Sequence, residues 1–448
     1  MKRGDDMAEA SQENKSELII EGGHQISGTH IVPGNKNAAL PMLTACLLTE
    51  ETVVIENLPQ INDVKTTLSM LEKLGVKVVS DPENRKVEIS AKDLKDYILN
   101  SELSAKVRAT ILFAGPMIAR MGKVAIAEPG GDVIGRRRID THITGLAALG
   151  AAFANRSDGV KGYRFDAHDG LFGADIILDE ASVTATENII MAATLAKGRT
   201  TIYNAACEPH IQDLCNMLNA MGAKIFGAGT NYVIIDGVEK LHGATVRVGA
   251  DYIDAGSYIV AALVTGGELK VKGIDKRDFI VLEKAFAKFG VKWTITGDEL
   301  HLPGGQRLSV TNDYDGSIPK IEDGIWPAFP SDLMSILIVL AIYSEGTMMF
   351  FEKMFESRMY FVDHLINMGA KIVQCDPHRI VVIGSSKPTL IGRKVSSPDI
   401  RAGIALVIAA LGANGETVIQ NAQSIDRGYE DIERSLGELG AVVSRRVS

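Results

Sequence analysis

The chain has 448 residues, which is length enough for two or three domains. Hydrophobic residues make up 46% and charged residues 23%, so real cores are available and wholesale disorder is excluded. A net charge of −9 argues against a nucleic-acid partner, which needs a broad basic face. Residues 1–16 are polar and read as a loose tail. Lys2 and Arg3 are followed by no apolar run, so no signal peptide is expected. The four cysteines, Cys46, Cys207, Cys215 and Cys375, form no CxxC pair, and a reducing, cytoplasmic setting is expected. The most apolar stretch, Leu333 to Tyr343, is too short to span a bilayer, which takes ~20 residues, so no membrane partner is expected.

In chain order, one phrase recurs six times: an apolar segment, a glycine, then β-formers. Its glycines are Gly75, Gly150, Gly222, Gly290, Gly369 and Gly440, at gaps of 75, 72, 68, 79 and 71 residues. Each unit also carries a small-and-apolar segment, such as NAALPMLTACLL or RAGIALVIAAL, that is apolar nearly all round and predicts a buried helix. A strand-like run follows, such as ETVVIENLP or GETVIQNAQ. The next helix is amphipathic, with Val64, Leu68 and Leu71 or Ile432, Leu436 and Leu439 at i, i+4, i+7. Each glycine then suits a left-handed helix cap. The unit reads as buried helix, strand, surface helix, strand, and six units predict two α/β lobes of three, with a cleft between them. If the units are equivalent, the buried helices of a lobe point their N-termini at one surface, which favours anions.

Four constellations carry polar groups to those helix starts. Pro33 to Leu40 puts Lys36 and Asn37 at a helix N-terminus, where a lysine is unfavourable unless an anion binds. Glu128 to His142 is a glycine-rich loop with three consecutive arginines, Arg136, Arg137 and Arg138, and it can act as a lid. Pro327 to Asp332 enters the most apolar helix, where Asp332 is either a helix cap or a site residue. Arg358, Arg401 and Arg427 stand near Asp399 and Asp426 and are either ion-paired surface groups or anion binders. The nine histidines show no metal-ligand spacing, and no metal or cofactor is expected.

The runs GNKNAALP, VRAT, EPGGDVIGRRRIDTH, WPAFPSDL, FESR, SPDIRAG and IDRGYEDI together resemble the UDP-N-acetylglucosamine 1-carboxyvinyltransferase family, over roughly residues 18–446. The resemblance implies two inside-out α/β barrels of three repeats each. One would span residues 36–249; the other would be built from 17–35 plus 250–448. It also implies transfer of the enolpyruvyl group of phosphoenolpyruvate to the 3′-hydroxyl of UDP-N-acetylglucosamine, through a tetrahedral ketal, with loss of phosphate. By position, Lys36, Arg108, Arg137, Arg358, Arg401 and Arg427 would bind the phosphate and carboxylate of phosphoenolpyruvate. Asn37, Arg108, Arg137, Ile139, Asp140, Ser182, Asp332 and Met354 would hold the sugar nucleotide. Asp332 would be the base, and Lys36 and Asp399 would assist the chemistry.

Asp132 would be the general acid, at a loop position where most members carry the cysteine attacked by the epoxide antibiotic fosfomycin. A carboxyl with an ordinary pKa of ~3.9 is ionised at neutral pH, so Asp132 is expected to hold its proton only in the closed ternary complex. Arg138, Glu180, Thr184 and Tyr252 depart from the family pattern at the nucleotide end. They leave open a different nucleotide acceptor, or a paralogue that binds a sugar nucleotide without turnover.

Overall fold

The computed structural model describes residues 16–131, 134–135, 137–156, 160–388 and 390–447. The buried helices follow directly from composition. The segment Met334–Ile342 (MSILIVLAI) offers no polar face, and all nine of its residues are buried. Ile400–Leu411 is likewise buried along its whole length. By contrast, Asn62–Lys73 buries Val64, Met70 and Leu71 on one side and leaves the opposite side to solvent. The six repeated glycines all have positive φ, between 74° and 109°, and turn the chain from the surface helix into the next strand.

Two hydrophobic cores result. One runs from Ala38 to Val248 and is built around the helices Lys36–Ala45, Ala114–Met121 and Val183–Ala193. The other joins Leu18, Ile20, Ile26 and Val32 to residues from Tyr252 to Leu439. Its centre is the trio Tyr252–Thr265, Met334–Ile342 and Ile400–Leu411, which pack against one another. The apolar helices thus lie inside each lobe, with the sheets and the amphipathic helices around them.

Six sheets are present among the described residues, three around each core. In the first lobe, Val53–Glu56 pairs antiparallel with Lys86–Ser90 and parallel with Thr245–Arg247, so the last strand of the lobe returns to the first unit. In the second lobe the early segment Ser16–Glu21 is an inner strand, between Glu416–Gln420 and Val442–Val447. The repeat is longer than its sequence pattern. In the first five units a hairpin rather than one strand follows the surface helix, as in Lys77–Asp81 with Lys86–Ser90, and in the sixth Val442–Val447 pairs instead with Ser16–Glu21. The turn of the first hairpin (PENR) is polar, and the returning strand KVEIS alternates buried and half-buried positions, a weak signal in five residues.

The chain passes between the cores at Pro33–Asn35 and again at Gly249–Asp251. The two crossings pair with each other: the Asn35 amide donates to the Gly249 carbonyl (2.7 Å) and the Asp251 amide to the Pro33 carbonyl (2.9 Å). This connection sets Lys36 one residue beyond the crossing, beside the cleft.

Candidate active site

Asn35 caps the helix Lys36–Ala45 by accepting from the amides of Asn37 (2.7 Å) and Ala38 (3.1 Å). The cap holds Lys36 at the first position, almost wholly buried. Its Nζ lies 2.8 Å from Asp63 Oδ2. Asp63 opens the helix Asn62–Lys73, and its second oxygen accepts from Arg427 Nε of the other lobe (3.0 Å). Burial acts to raise the Asp63 pKa, but Lys36 and Arg427 outweigh it and hold the carboxyl below its ordinary value.

Asp332 lies in the 3₁₀ turn Ser331–Leu333 and caps no helix. Its carboxylate accepts from Arg358 Nη2 (3.1 Å), from Arg401 Nη2 (3.0 Å) and, across the cleft, from Asn37 Nδ2 (3.5 Å). Burial acts to raise its pKa, yet Arg401 and Arg358, with Lys36 beyond, hold it well below the usual carboxylate range. The two arginine side chains are 5% and 8% exposed while Asp332 keeps 26%, so the carboxylate is the member of the group that a ligand can reach. Arg358 Nε and Nη1 are buried and have no hydrogen-bond acceptor, which suits a bound anion. Asp399 caps the helix Ile400–Leu411, accepting from the amides of Arg401 (2.8 Å) and Ala402 (3.0 Å). The family resemblance implies a part for it in proton transfer, and in the structure its Oδ1 also holds the Arg401 turn.

The first lobe supplies the other wall. Arg108 begins the 3₁₀ run Arg108–Phe113 and donates through Nη2 to the Arg137 carbonyl, which ties the arginine loop to this helix start. Ile139 is buried just ahead of the helix Asp140–Ala148, and Asp140 is exposed and paired with Arg138. Ser182 caps Val183–Ala193 through the Ala185 amide (3.4 Å). Met354 is exposed across the cleft. Asp132, Val133 and Arg136 lie outside the described residues, whereas Ile134 and Gly135 are described. The Ile134 carbonyl accepts from the Ser357 amide of the second lobe (3.1 Å). Gly135, at φ 135°, lies so close to Glu356 that a Cβ there would sit 2.2 Å from its Oε2. Ile134 and Gly135 therefore meet the second lobe, beside the Arg358 turn.

Thr184, one of the departures from the family pattern, joins a buried network. Asn188 Oδ1 accepts from the Gly115 amide (2.7 Å), so its Nδ2 donates, both to the Ile111 carbonyl and to His142 Nδ1 (2.9 Å). That makes His142 the Nε2–H tautomer, donating to Thr184 Oγ1 (3.0 Å). Burial, with the Arg108 charge adding to it, pushes the His142 pKa down to about 3. The ring is expected to stay neutral from about pH 8 to about pH 4, read as unchanged ¹⁵N imidazole shifts. Its contribution to stability is then complete above the ordinary pKa of about 6.5 and is lost as pH falls through about 3.

The structure brings Lys36, Asn37, Arg108 and Arg137 of the first lobe to face Asp332, Arg358, Arg401 and Arg427 of the second across the cleft. Sequence reasoning missed Asp63, whose signal was an acid in the first turn of a surface helix, and Glu430. Glu430 clamps the lobes by accepting from Arg85 at 2.8 and 2.7 Å and from the Gln60 amide at 2.7 Å. Among the described residues no group of three or more His, Cys, Asp or Glu side chains is arranged to hold a metal ion, and no helix is long and apolar enough to cross a membrane.

Residues 20–436 match the family model described as EPSP synthase (3-phosphoshikimate 1-carboxyvinyltransferase). The chain belongs to this family. It is 50% identical over 429 residues to a UDP-N-acetylglucosamine 1-carboxyvinyltransferase of Borrelia garinii subsp. bavariensis, covering 95% of this chain and 98% of that one. It is 49% identical over 427 residues to the enzyme of the same name from Treponema denticola, again covering 95% and 98%. In fold it is similar to the enolpyruvyl transferase NikO from Streptomyces tendae, with a TM-score of 0.85 at 21% identity over 97% of this chain and all of that one. It is also similar to EPSP synthase from Acinetobacter baumannii, with a TM-score of 0.74 at 18% identity over 96% and 100%. These matches support the reading as two α/β domains of the enolpyruvyl transferase fold.

Proposed function

We propose that the protein is a UDP-N-acetylglucosamine 1-carboxyvinyltransferase of the cytoplasm, acting in peptidoglycan synthesis. The observation that carries this reading is the Asp332 carboxylate. It is kept ionised by two buried arginines, reaches Asn37 across the cleft, and belongs to a chain half identical to enzymes of that name. Phosphoenolpyruvate brings a phosphate and a carboxylate, which the arginines and Lys36 meet with charge-assisted hydrogen bonds. Asp332 takes the proton of the sugar 3′-hydroxyl as its oxygen bonds to C2 of phosphoenolpyruvate. Asp132 gives a proton to C3, completing a tetrahedral ketal. Loss of a C3 proton then restores the double bond as the C2–O bond to phosphate breaks, leaving an enolpyruvyl ether and free phosphate.

Phosphate release measured over a panel of UDP-sugars and UMP tests the reading. Turnover with UDP-N-acetylglucosamine supports it, and turnover only with another acceptor replaces it. Glu180 favours that second reading, because it puts a carboxylate 3.3 Å from Thr141 Oγ1, beside the Asp140 helix start, where a diphosphate would be repelled. Binding of the nucleotide without turnover at any pH would mark a silent paralogue.

A carboxylate is a poorer nucleophile than a thiolate toward an epoxide. Fosfomycin is therefore expected to cause no time-dependent inactivation, and Asp132→Cys to create it. Intact-mass measurement checks both, and an adduct on Asp132 of the unaltered protein would contradict the assignment.

A further inference from the structure

Asp332 and Arg358 are 26 residues apart and face each other only because two separate loops are held in register. The residue between those loops is Glu352, fully buried at the end of the strand Gly346–Phe351. Its Oε1 accepts from the amides of Met354 (3.2 Å) and Phe355 (3.1 Å), which start the turn leading to Arg358. Its carboxyl also receives the Ser331 hydroxyl, at 3.0 and 2.9 Å from its two oxygens, next to Asp332. Asp323 stands against it. Asp323 Oδ1 accepts from the Lys353 amide, while its Oδ2 is buried with no ordinary donor. Two carboxyls meeting in a buried site need a proton between them.

We propose that Glu352 donates a carboxyl proton to Asp323, and that this pair is a positioning device holding the Asp332 turn and the Arg358 turn together. The inference rests on the reading of Asp332 and Arg358 given above. Burial, reinforced by Asp323, pushes the Glu352 pKa up to about 9, with Arg358 opposing. The other charged or titratable groups around it are Asp332 next to Ser331, Lys353 with Glu322 at 3.4 Å, and His378, whose Nδ1 meets the Glu352 carbonyl at 2.8 Å. Arg358 is the cation whose attraction opposes protonation, and the pair's hydrogen bond outweighs it. Above the Glu352 pKa two adjacent carboxylates repel, and the loops lose their common anchor.

Glu352→Gln keeps a donor toward Asp323 without a titrating proton, whereas Glu352→Ala removes the anchor. The alanine variant is expected to lose about 10²-fold in kcat, the scale of a 1 Å misplacement. The glutamine variant should stay within about threefold of the unaltered enzyme at neutral pH and should not share its fall in kcat near pH 9. A second readout does not need turnover. A carboxyl whose pKa is raised by folding contributes stability that is complete below its unfolded value, about 4.5, and is lost as pH rises through about 9. The Tm of Glu352→Gln relative to the unaltered protein should therefore climb across that window. A flat Tm difference, an unchanged alkaline limb in Glu352→Gln, or full activity in Glu352→Ala would overturn the proposal. Should no protein turn over, the Tm difference alone decides for or against the pair.

Discussion

Asp332→Asn is expected to lower kcat by about 10²- to 10⁴-fold, the range for removing a general base. Asparagine keeps the shape and can still face Asn37, but it has no charge to receive a proton. It also leaves Arg358 and Arg401 without the carboxylate that both now contact. Substrate anions can replace part of that charge, so the KM for phosphoenolpyruvate should change much less than kcat. Steady-state phosphate release checks the split. A loss of less than about tenfold would remove Asp332 from the base role.

Lys36→Ala is expected to reduce turnover by at least about 10³-fold, because the lysine is the cation seated at the helix start that faces both Asp63 and the Asp332 group. Stability should fall too. Breaking a buried pair typically costs about 3–5 kcal/mol, and the Arg427 contact that remains on Asp63 should keep the loss below that range. The stabilisation from Asp63 is present above its ordinary pKa of 3.8 and is lost as pH falls below it, and the lysine variant should show a smaller loss on acidification. Titration with phosphoenolpyruvate and a Tm series across pH measure the two effects. Unchanged turnover with lowered Tm would make Lys36 a structural residue only.

What the sequence revealed follows from the range of the interactions involved. Helices such as Met334–Ile342 and the positive-φ glycines are dictated by a few neighbouring residues, so the six units and their buried helices were legible, while the inside-out barrel followed from the family resemblance. Lys36, Asp332 and Arg401 were legible as candidates because each is a polar residue at the mouth of an apolar helix. Their partners were not. Asp63 meets Arg427, 364 positions away, and nothing in DVKTTLSML marks its carboxylate as the bridge between lobes. Glu352 follows the strand GTMMFF and reads as an ordinary solvated turn glutamate until Asp323 and Ser331 are placed against it. The cap made by Asp399 is readable in SPDIRAG, where an acid stands directly before an apolar helix. The hairpin in the first five units was missed because a short return strand carries little periodicity, and in the sixth the return strand is Ser16–Glu21 from the other end of the chain.

The cleft gathers cations from both lobes around two ionised carboxylates, Asp63 and the ligand-accessible Asp332, in a chain whose overall charge is −9. Product analysis with phosphoenolpyruvate and UDP-N-acetylglucosamine is the decisive check on that arrangement. One phosphate is expected for each acceptor consumed, with a new enolpyruvyl ether on the 3′-oxygen, in the unaltered protein and not in Asp332→Asn. Absence of that ether, or equal yields from the two proteins, would contradict it.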